Sequence, residues 1–418
     1  MATIGKKDRT NLGLDFLNRH HYRQLLTYAL NNNRTMIALL VSLVFILGIL
    51  TILYTYVGYP LVLIVLSRFV DRNDQRDRTV RPSVTMIVAA HNEEAVIREK
   101  IENTQAIEYA GGFDCIIVSD STDRTDAIVE QHTGSRTRLL PLEERRGKSY
   151  ALNRAVAEAT GDVLVFSDAN TMYDSDAVTE LVAPLADDDV GLTTGSLRLV
   201  DAEGESTESS YWKYELGIRK LESKLGTTVS ANGGMLALRR DDFERIPEAA
   251  LTDDFIVVLQ QAKNGRRIVF VDAAKATERT TGDLWQEYRR RIRIGAGNYQ
   301  SLVWYRTLLS PRHGLVAFEF FSHKVLRWCL PAVLLLVLLS NAALALLVPS
   351  LPVITLLAGQ LVCYGAAAVG MTSPRARSST LFGIPAYFLS MNLAFASGFI
   401  QFLSGTSIDI WTSTRDVN

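Results

Sequence analysis

Three short polar clusters, each placed where an apolar run ends, carry side chains suited to chemistry. His91-Asn92-Glu93-Glu94 follows the run 84–90, Asp120-Ser121-Thr122-Asp123 follows 115–119, and Asp168-Ala169-Asn170 follows 163–167. Farther along stand Gly147-Lys148, the adjacent acids Asp253-Asp254 after Thr252, and the basic run Arg289, Arg290, Arg291 and Arg293. Carboxylates are the usual ligands of Mg2+ or Mn2+ beside phosphates, and guanidinium forks match phosphate oxygens. Each feature also has a plainer reading. Asp and Ser cap helices, so Asp123 could serve only as a cap, and so could Asp253 for a helix starting near Phe255. Asp168-Ala169-Asn170-Thr171 could be a simple turn, Lys148 a solvated surface lysine, and a basic run near a bilayer could contact anionic lipid. Three clusters in succession are harder to assign to capping than one.

The elements that must position these residues follow from patterning. The run 84–90 is apolar and rich in β-branched residues, and with the short runs 115–119, 138–140 and 163–167 it reads as a strand. Between them, 93–107, 125–132 and 149–159 have helical spacing. Strands alternating with helices predict a mostly parallel sheet covered on both faces. In such a sheet ligands sit beyond the carboxyl ends of the strands, which is where the three clusters fall. No G-x-G-x-x-G follows the first strand and no G-x-x-x-x-G-K-[ST] occurs, which disfavours a dinucleotide-dependent dehydrogenase and a P-loop ATPase.

The α/β domain does not stand alone. The mean hydropathy of +0.10 averages two unlike kinds of sequence. Met36 to Leu66 contains no charged residue. It is too long for the core of a signal peptide and predicts one tilted membrane span; a break near Gly58-Tyr59-Pro60 would leave two cramped ones. Three more span-length pieces, 330–348, 351–371 and 381–403, are punctuated by Pro349, Pro352 and Ser373-Pro374-Arg375-Ala376-Arg377. The expected organisation is a basic N-terminal segment (1–35), a transmembrane region (36–66), a domain over 71–300, an interfacial amphipathic segment (301–325), a transmembrane region (326–405) and a C-terminal tail (406–418). The domain holds 40 Asp+Glu against 30 Lys+Arg, whereas the flanks are basic. Arg68, Arg72, Arg76, Arg78, Lys324, Arg327, Arg375 and Arg377 beside the spans place the domain in the cytoplasm of a plasma-membrane protein by the positive-inside rule. The basic N-terminal segment pulls the other way if a single span precedes the domain. A net charge of -1 argues against a nucleic-acid partner. Three cysteines without a CxxC or Cys/His cluster exclude a disulfide scaffold and give no sign of structural zinc.

Taken in order, Ala90-His91-Asn92-Glu93-Glu94, Ser119-Asp120-Ser121-Thr122-Asp123, Gly147-Lys148-Ser149-Tyr150-Ala151-Leu152-Asn153, Asp168-Ala169-Asn170, Asn232-Gly233-Gly234-Met235, Thr252-Asp253-Asp254 and Arg290-Arg291-Ile292-Arg293-Ile294-Gly295-Ala296-Gly297 resemble the motifs of membrane-bound family 2 glycosyltransferases. That family includes cellulose, chitin, hyaluronan and poly-N-acetylglucosamine synthases. Trp411-Thr412-Ser413-Thr414-Arg415 is similar to a C-terminal Trp/Arg motif of these synthases. The resemblance covers residues 36–418.

The resemblance implies a GT-A-like α/β nucleotide-sugar-binding domain combined with α-helical transmembrane segments. It implies inverting transfer from a nucleotide-sugar donor, UDP-linked, to a growing polysaccharide secreted through the protein's own spans, or of one sugar to a lipid-linked acceptor. Membrane lipids are the remaining partners. Asp254 stands at the family's general base. Glu93 and Asp120 stand at its base pocket, and Lys148, Asp168, Arg290, Arg291 and Arg293 complete the donor side. Asn232, Gly233, Gly234 and Ile294 stand on the acceptor side. Asp168 and Asn170 occupy the D-x-D position for Mg2+ or Mn2+. The chain departs from the pattern at three places: Asn170 replaces the second Asp, Arg290 the Gln of Q-R-x-R-W, and Ile294 its Trp, which in the family stacks on the acceptor sugar. A nucleotide-binding receptor or transporter is the competing class; it gives Asp254 and the arginines nothing to do.

Overall fold

In the computed structural model of the chain, the described residues are 33–72, 76–132, 134, 136–200, 210–279 and 284–405. Most of the N-terminal segment 1–35 and the tail 406–418, with Trp411 and Arg415, lie outside them. The described residues form two compact units, one of 33–53 with Leu330–Ala386, the other of Tyr54–Cys329 with 387–405.

The second unit is built on an eight-stranded sheet, β1 (Val84–Ala90), β2 (Phe113–Ser119), β3 (Thr137–Pro141), β4 (Val163–Asp168), β5 (Thr171–Tyr173), β6 (Val190–Val200), β7 (Leu236–Arg239) and β8 (Arg267–Arg279). Its order is β3-β2-β1-β4-β7-β6-β8-β5. β1 to β4 are mutually parallel, as their connecting helices require, and β6 pairs parallel with β8. β7 runs antiparallel between β4 and β6, and β5 antiparallel to β8. Every residue of β1 is buried, the mark of a central strand covered on both faces, where an apolar run replaces alternation. Met86, Val88 and Ala90 pack on one side, and Ile87 and Ala89 on the other. Each such buried Ile or Val stabilises the fold by about 1.5–3 kcal/mol relative to exposure.

The helices Ile97–Gln105, Thr125–His132 and Lys148–Ala157 cover the first half of the sheet. The first starts four residues later than its spacing predicts, because residues 93–96 form a turn that carries the first polar cluster. Asp253–Lys263 and the 21-residue helix Leu284–Trp304 complete the site-bearing elements.

Among the described residues, four helices are long and apolar enough to cross a membrane: Asn33–Leu66, Leu315–Leu347, Leu351–Thr372 and Thr380–Ser404. Even 22 residues reach about 33 Å, enough for a hydrocarbon core of about 30 Å. The first is a single helix that passes Gly58-Tyr59-Pro60 through a π turn at Tyr54–Gly58; the wider turn accommodates the missing N–H of Pro60. In the first unit, Gly48 lies against Val337, where a Cβ would stand 2.4 Å from a methyl group. Arg377 closes the helix Leu351–Thr372 by donating to the carbonyls of Gly370 and Met371, 3.0 Å each, which satisfies acceptors left open at a helix C-terminus.

The segment expected to lie along the interface, 301–325, divides between two helices. Residues 315–325 are the opening turns of the helix Leu315–Leu347, with a π turn at Phe320–Val325. Its polar residues suggest a wet face, but they point into protein. His323 shares hydrogen bonds with Glu222 (2.6 Å) and Glu215 (3.1 Å), and Glu222 also accepts from Tyr59 Oη (2.5 Å).

Candidate active site

The loops after β1 and β2 are knitted into one wall. Asn92 has a left-handed φ of 54°, a conformation that Asn tolerates better than most residues. Its Oδ1 accepts from the Thr122 amide at 2.9 Å, and the Glu93 amide donates to Thr125 Oγ1 at 2.8 Å. Asp123 behaves as the cap its position predicts: it accepts from the Thr125 amide (2.9 Å) and the Glu94 amide (3.2 Å). Asp120 is different. Its Oδ1 meets His91 Nδ1 at 2.7 Å, with both side chains buried. Its Oδ2 is buried without a hydrogen-bond partner among the described residues. An orphaned buried carboxylate oxygen is costly, and a ligand N–H would satisfy it.

The second wall gathers residues from four elements. Gly147, with φ of 92°, turns the chain into the helix Lys148–Ala157. Lys148 Nζ reaches Asp168 Oδ1 at the end of β4 (2.7 Å) and Asp253 Oδ2 (3.4 Å). Burial weakens the Lys148 ammonium, but the charges of Asp168 and Asp253 outweigh it and hold the group well above its ordinary range. Burial likewise pushes the Asp168 carboxyl up, yet Lys148 beside it keeps it below the usual range. The Asp253–Lys263 helix starts at Asp253 with Thr252 as N-cap, not near Phe255. Asp253 therefore faces Lys148 instead of capping. For Asp254, burial and then the Asp253 charge raise the carboxyl above its ordinary value. The pair sits at a helix N-terminus, where the dipole favours anions.

Asn232-Gly233-Gly234 threads between these carboxylates. A Cβ on Gly233 would stand 2.9 Å from Asp254 Oδ2, and one on Gly234 would be 2.5 Å from Thr171 Oγ1 and 3.4 Å from Asp168 Oδ2. Side chains there would fill the cleft lined by Lys148, Asp168, Gly233, Asp253 and Asp254. Asn232 holds the loop in place: its Nδ2 donates to Gly195 O (2.7 Å), and Oδ1 accepts from Arg219. Its amide is thus used within the protein.

The three arginines of Leu284–Trp304 do not act alike. Arg293 lies in the field of Asp253, Asp254 and Asp168, although burial dominates and lowers its pKa. Arg290 Nη1 lies 3.9 Å from Glu278 Oε1. Arg291 turns away and is bound by Glu287 at 2.5 Å. Gly297 approaches Thr252, and Gly295 and Ala296 pack against Phe395 and Gly398, so small residues let this helix lie close to its neighbours. Ile294 is half-buried on it. Trp285 packs edge-on to Tyr288, and Tyr299 packs on Phe399.

Patterning alone passes over three further residues. Lys100, fully buried, donates to Ser167 Oγ (2.7 Å) and Thr171 O (2.6 Å) beneath Asp168; burial lowers its pKa to about 8. His91 was seen only as one of a cluster. Glu278 accepts from Asn170 Nδ2 at 3.3 Å. Helical spacing hinted at Lys100, the one charge on the buried stripe with Ile97, Ile101 and Thr104; no local signal marks Glu278. Among the described residues no group of three or more His, Cys, Asp or Glu is arranged to hold a metal ion. Asp168 and Asn170 offer two oxygen donors.

Residues 85–246 match the family described as Glycosyl transferase family 2. Among curated proteins, the chain is 30% identical over 238 residues to "Probable glycosyltransferase YdaM" of Bacillus subtilis (strain 168), covering 52% of this chain and 55% of the relative. It is 25% identical over 231 residues to "Poly-beta-1,6-N-acetyl-D-glucosamine synthase" of Staphylococcus aureus (strain COL), covering 53% and 55%. The chain thus spans about half the length of these relatives. Among solved structures, a mannosyltransferase from Pyrobaculum calidifontis, in complex with GDP-Man and Mn2+, superposes with a TM-score of 0.66 at 24% identity, over 87% of this chain and 100% of that one. That likeness carries the GT-A-like fold.

Proposed function

We propose that this chain, whose residues 85–246 match the Glycosyl transferase family 2 model, acts as a glycosyltransferase of that family and inverts the anomeric carbon of a nucleotide-sugar donor as it extends a polysaccharide at the cytoplasmic face of a membrane. The observation that carries this reading is the placement of Asp254. Its carboxylate, raised above the ordinary range, lies beside Gly233 in a cleft shared with Lys148 and Asp168. A base must reach the acceptor hydroxyl, and the missing side chain at Gly233 leaves that space open.

The donor's base fits between the β1 and β2 loops, where Asp120 Oδ2 accepts a uracil-type N–H and Glu93 lines the pocket. Lys148, Arg290 and Arg293 receive the diphosphate, with Lys148 nearest the acids. In transfer, Asp254 takes the proton of the acceptor hydroxyl. The acceptor oxygen bonds to the anomeric carbon, and the bond from that carbon to the diphosphate oxygen breaks. The nucleoside diphosphate leaves with the electron pair, its charge met by Lys148 and the arginines. Asp254 then loses its proton to solvent.

Mg2+ or Mn2+ fits the residues present. Asp168 and Asn170 supply hard oxygen donors. Thr171 Oγ1 is buried and unpartnered among the described residues beside them, and Gly234 keeps the space over Asp168 clear. When bound, the cation would neutralise charge on the leaving diphosphate. UDP is the nucleotide implied by the motifs; the GDP-Man of the Pyrobaculum calidifontis structure makes GDP the alternative.

A second reading, transfer of one sugar to a lipid-linked acceptor, is favoured by Ile294. An aliphatic side chain offers no π-face on which a chain of sugars could stack. Turnover of a panel of UDP- and GDP-sugars by the full chain in membranes, with product mass spectrometry, separates the readings. Polymer supports the first and a single-sugar lipid the second; absence of turnover with every donor contradicts both.

A further inference from the structure

Asn170 leaves the D-x-D position one negative charge short, and the fold answers from a different strand. β5 and β8 pair antiparallel with Thr171 opposite Glu278. That register brings the Glu278 side chain beside Asn170, and Nδ2 of the amide donates to Glu278 Oε1 at 3.3 Å. The amide is planar, so fixing its nitrogen commits Oδ1 to the opposite direction. Glu278 is 12% exposed, far from the usual state of a glutamate. Its charged neighbour is Arg290, at 3.9 Å, as Lys148 is the neighbour of Asp168. Two carboxylates therefore face two resident cations. Next to them lies Thr171 Oγ1, fully buried with no hydrogen-bond partner among the described residues.

We propose that Glu278 supplies, through Asn170, the negative charge this D-x-D position lacks, so that Asp168, Asn170 and Glu278 act together as the holder of Mg2+ or Mn2+. The inference rests on the metal-assisted reading above. Glu278 is a positioning residue: it orients the amide oxygen and polarises it, as carboxylates behind metal ligands do. With the cation balancing Asp168 and Glu278, Lys148 and Arg290 are available to phosphate oxygens.

The test is a Mn2+ titration of the full chain in lipid nanodiscs, read by electron paramagnetic resonance, with UDP or GDP present. Glu278→Gln should weaken Mn2+ by about 10- to 100-fold with no fall in melting temperature. Asn170→Asp in the Glu278→Gln background moves the charge to the first position and should restore affinity to near wild type, which a packing role would not do. Equal Mn2+ affinity in wild type and Glu278→Gln overturns the proposal, as does a double variant no tighter than Glu278→Gln. Asp168→Ala separates the two levels. If it loses Mn2+ while Glu278→Gln does not, the metal reading stands and the Glu278 role falls. If wild type binds no Mn2+ with either nucleotide, both fall, and glycosyl transfer is then judged by turnover alone.

Discussion

At the scale of residues, the site is a contest between burial and neighbouring charge, and Asp254 is where burial wins. Its folded-state pKa lies above the unfolded one, so the folded chain binds the extra proton between the two values. The ionised carboxylate then subtracts stability once the pH exceeds both. Asp254→Asn should therefore raise the melting temperature at neutral pH while lowering turnover by about 10²–10⁴-fold, the usual loss for a general base, with donor affinity retained. Near-normal turnover would remove Asp254 from the role. Turnover should also fall on the acid side at a pH above the ordinary aspartate range. Asp253→Asn, by removing the adjacent charge, should move that acid limb to lower pH; a pH–rate profile decides it. Arg293 and Arg291 give a second contrast. Arg293→Lys keeps the charge but loses the fork, so turnover should drop well below wild type. Arg291, bound to Glu287, should when changed to Lys lower melting temperature more than turnover.

At the scale of elements, the site depends on how closely backbones approach. Gly398 lies where a Cβ would be 2.7 Å from Ile292 O and 2.8 Å from Ala296 N. Gly398→Val should displace the Arg290–Arg293 helix and raise the donor KM, with little change in the pH–rate profile. The same scale separates what patterning reveals from what it hides. β1, β2, β4 and the helix Thr125–His132 can be read directly because central parallel strands in a doubly covered sheet are near-continuous apolar runs, whereas β3, at the sheet edge, carries Arg138 and is only partly buried. β7 has four residues, and β8 carries Asp272 and Lys275, so neither shows a period. Asp120, Lys148, Asp168 and Asp254 follow visible elements or motifs. The pairing of Asn170 with Glu278 exists only through the β5–β8 register, 108 positions apart in sequence, and no local pattern encodes it. The same holds for His323, whose partners Glu215 and Glu222 lie about a hundred positions earlier in the sequence.

At the scale of the whole molecule, the described residues combine a GT-A-like domain with four helices long and apolar enough to cross a membrane. Ile294→Trp should lengthen products if acceptor stacking is limiting, as read by gel filtration of the released saccharide; a native product already of high polymer length would show that stacking arises elsewhere. The central claim is inverting transfer at the cleft of Asp254 and Lys148. Its most direct test is proton nuclear magnetic resonance of the first product formed by the full chain in lipid from an α-linked nucleotide sugar. The account predicts a β-configured anomeric signal in the newly formed linkage, absent with Asp254→Asn. An α-configured linkage would contradict it.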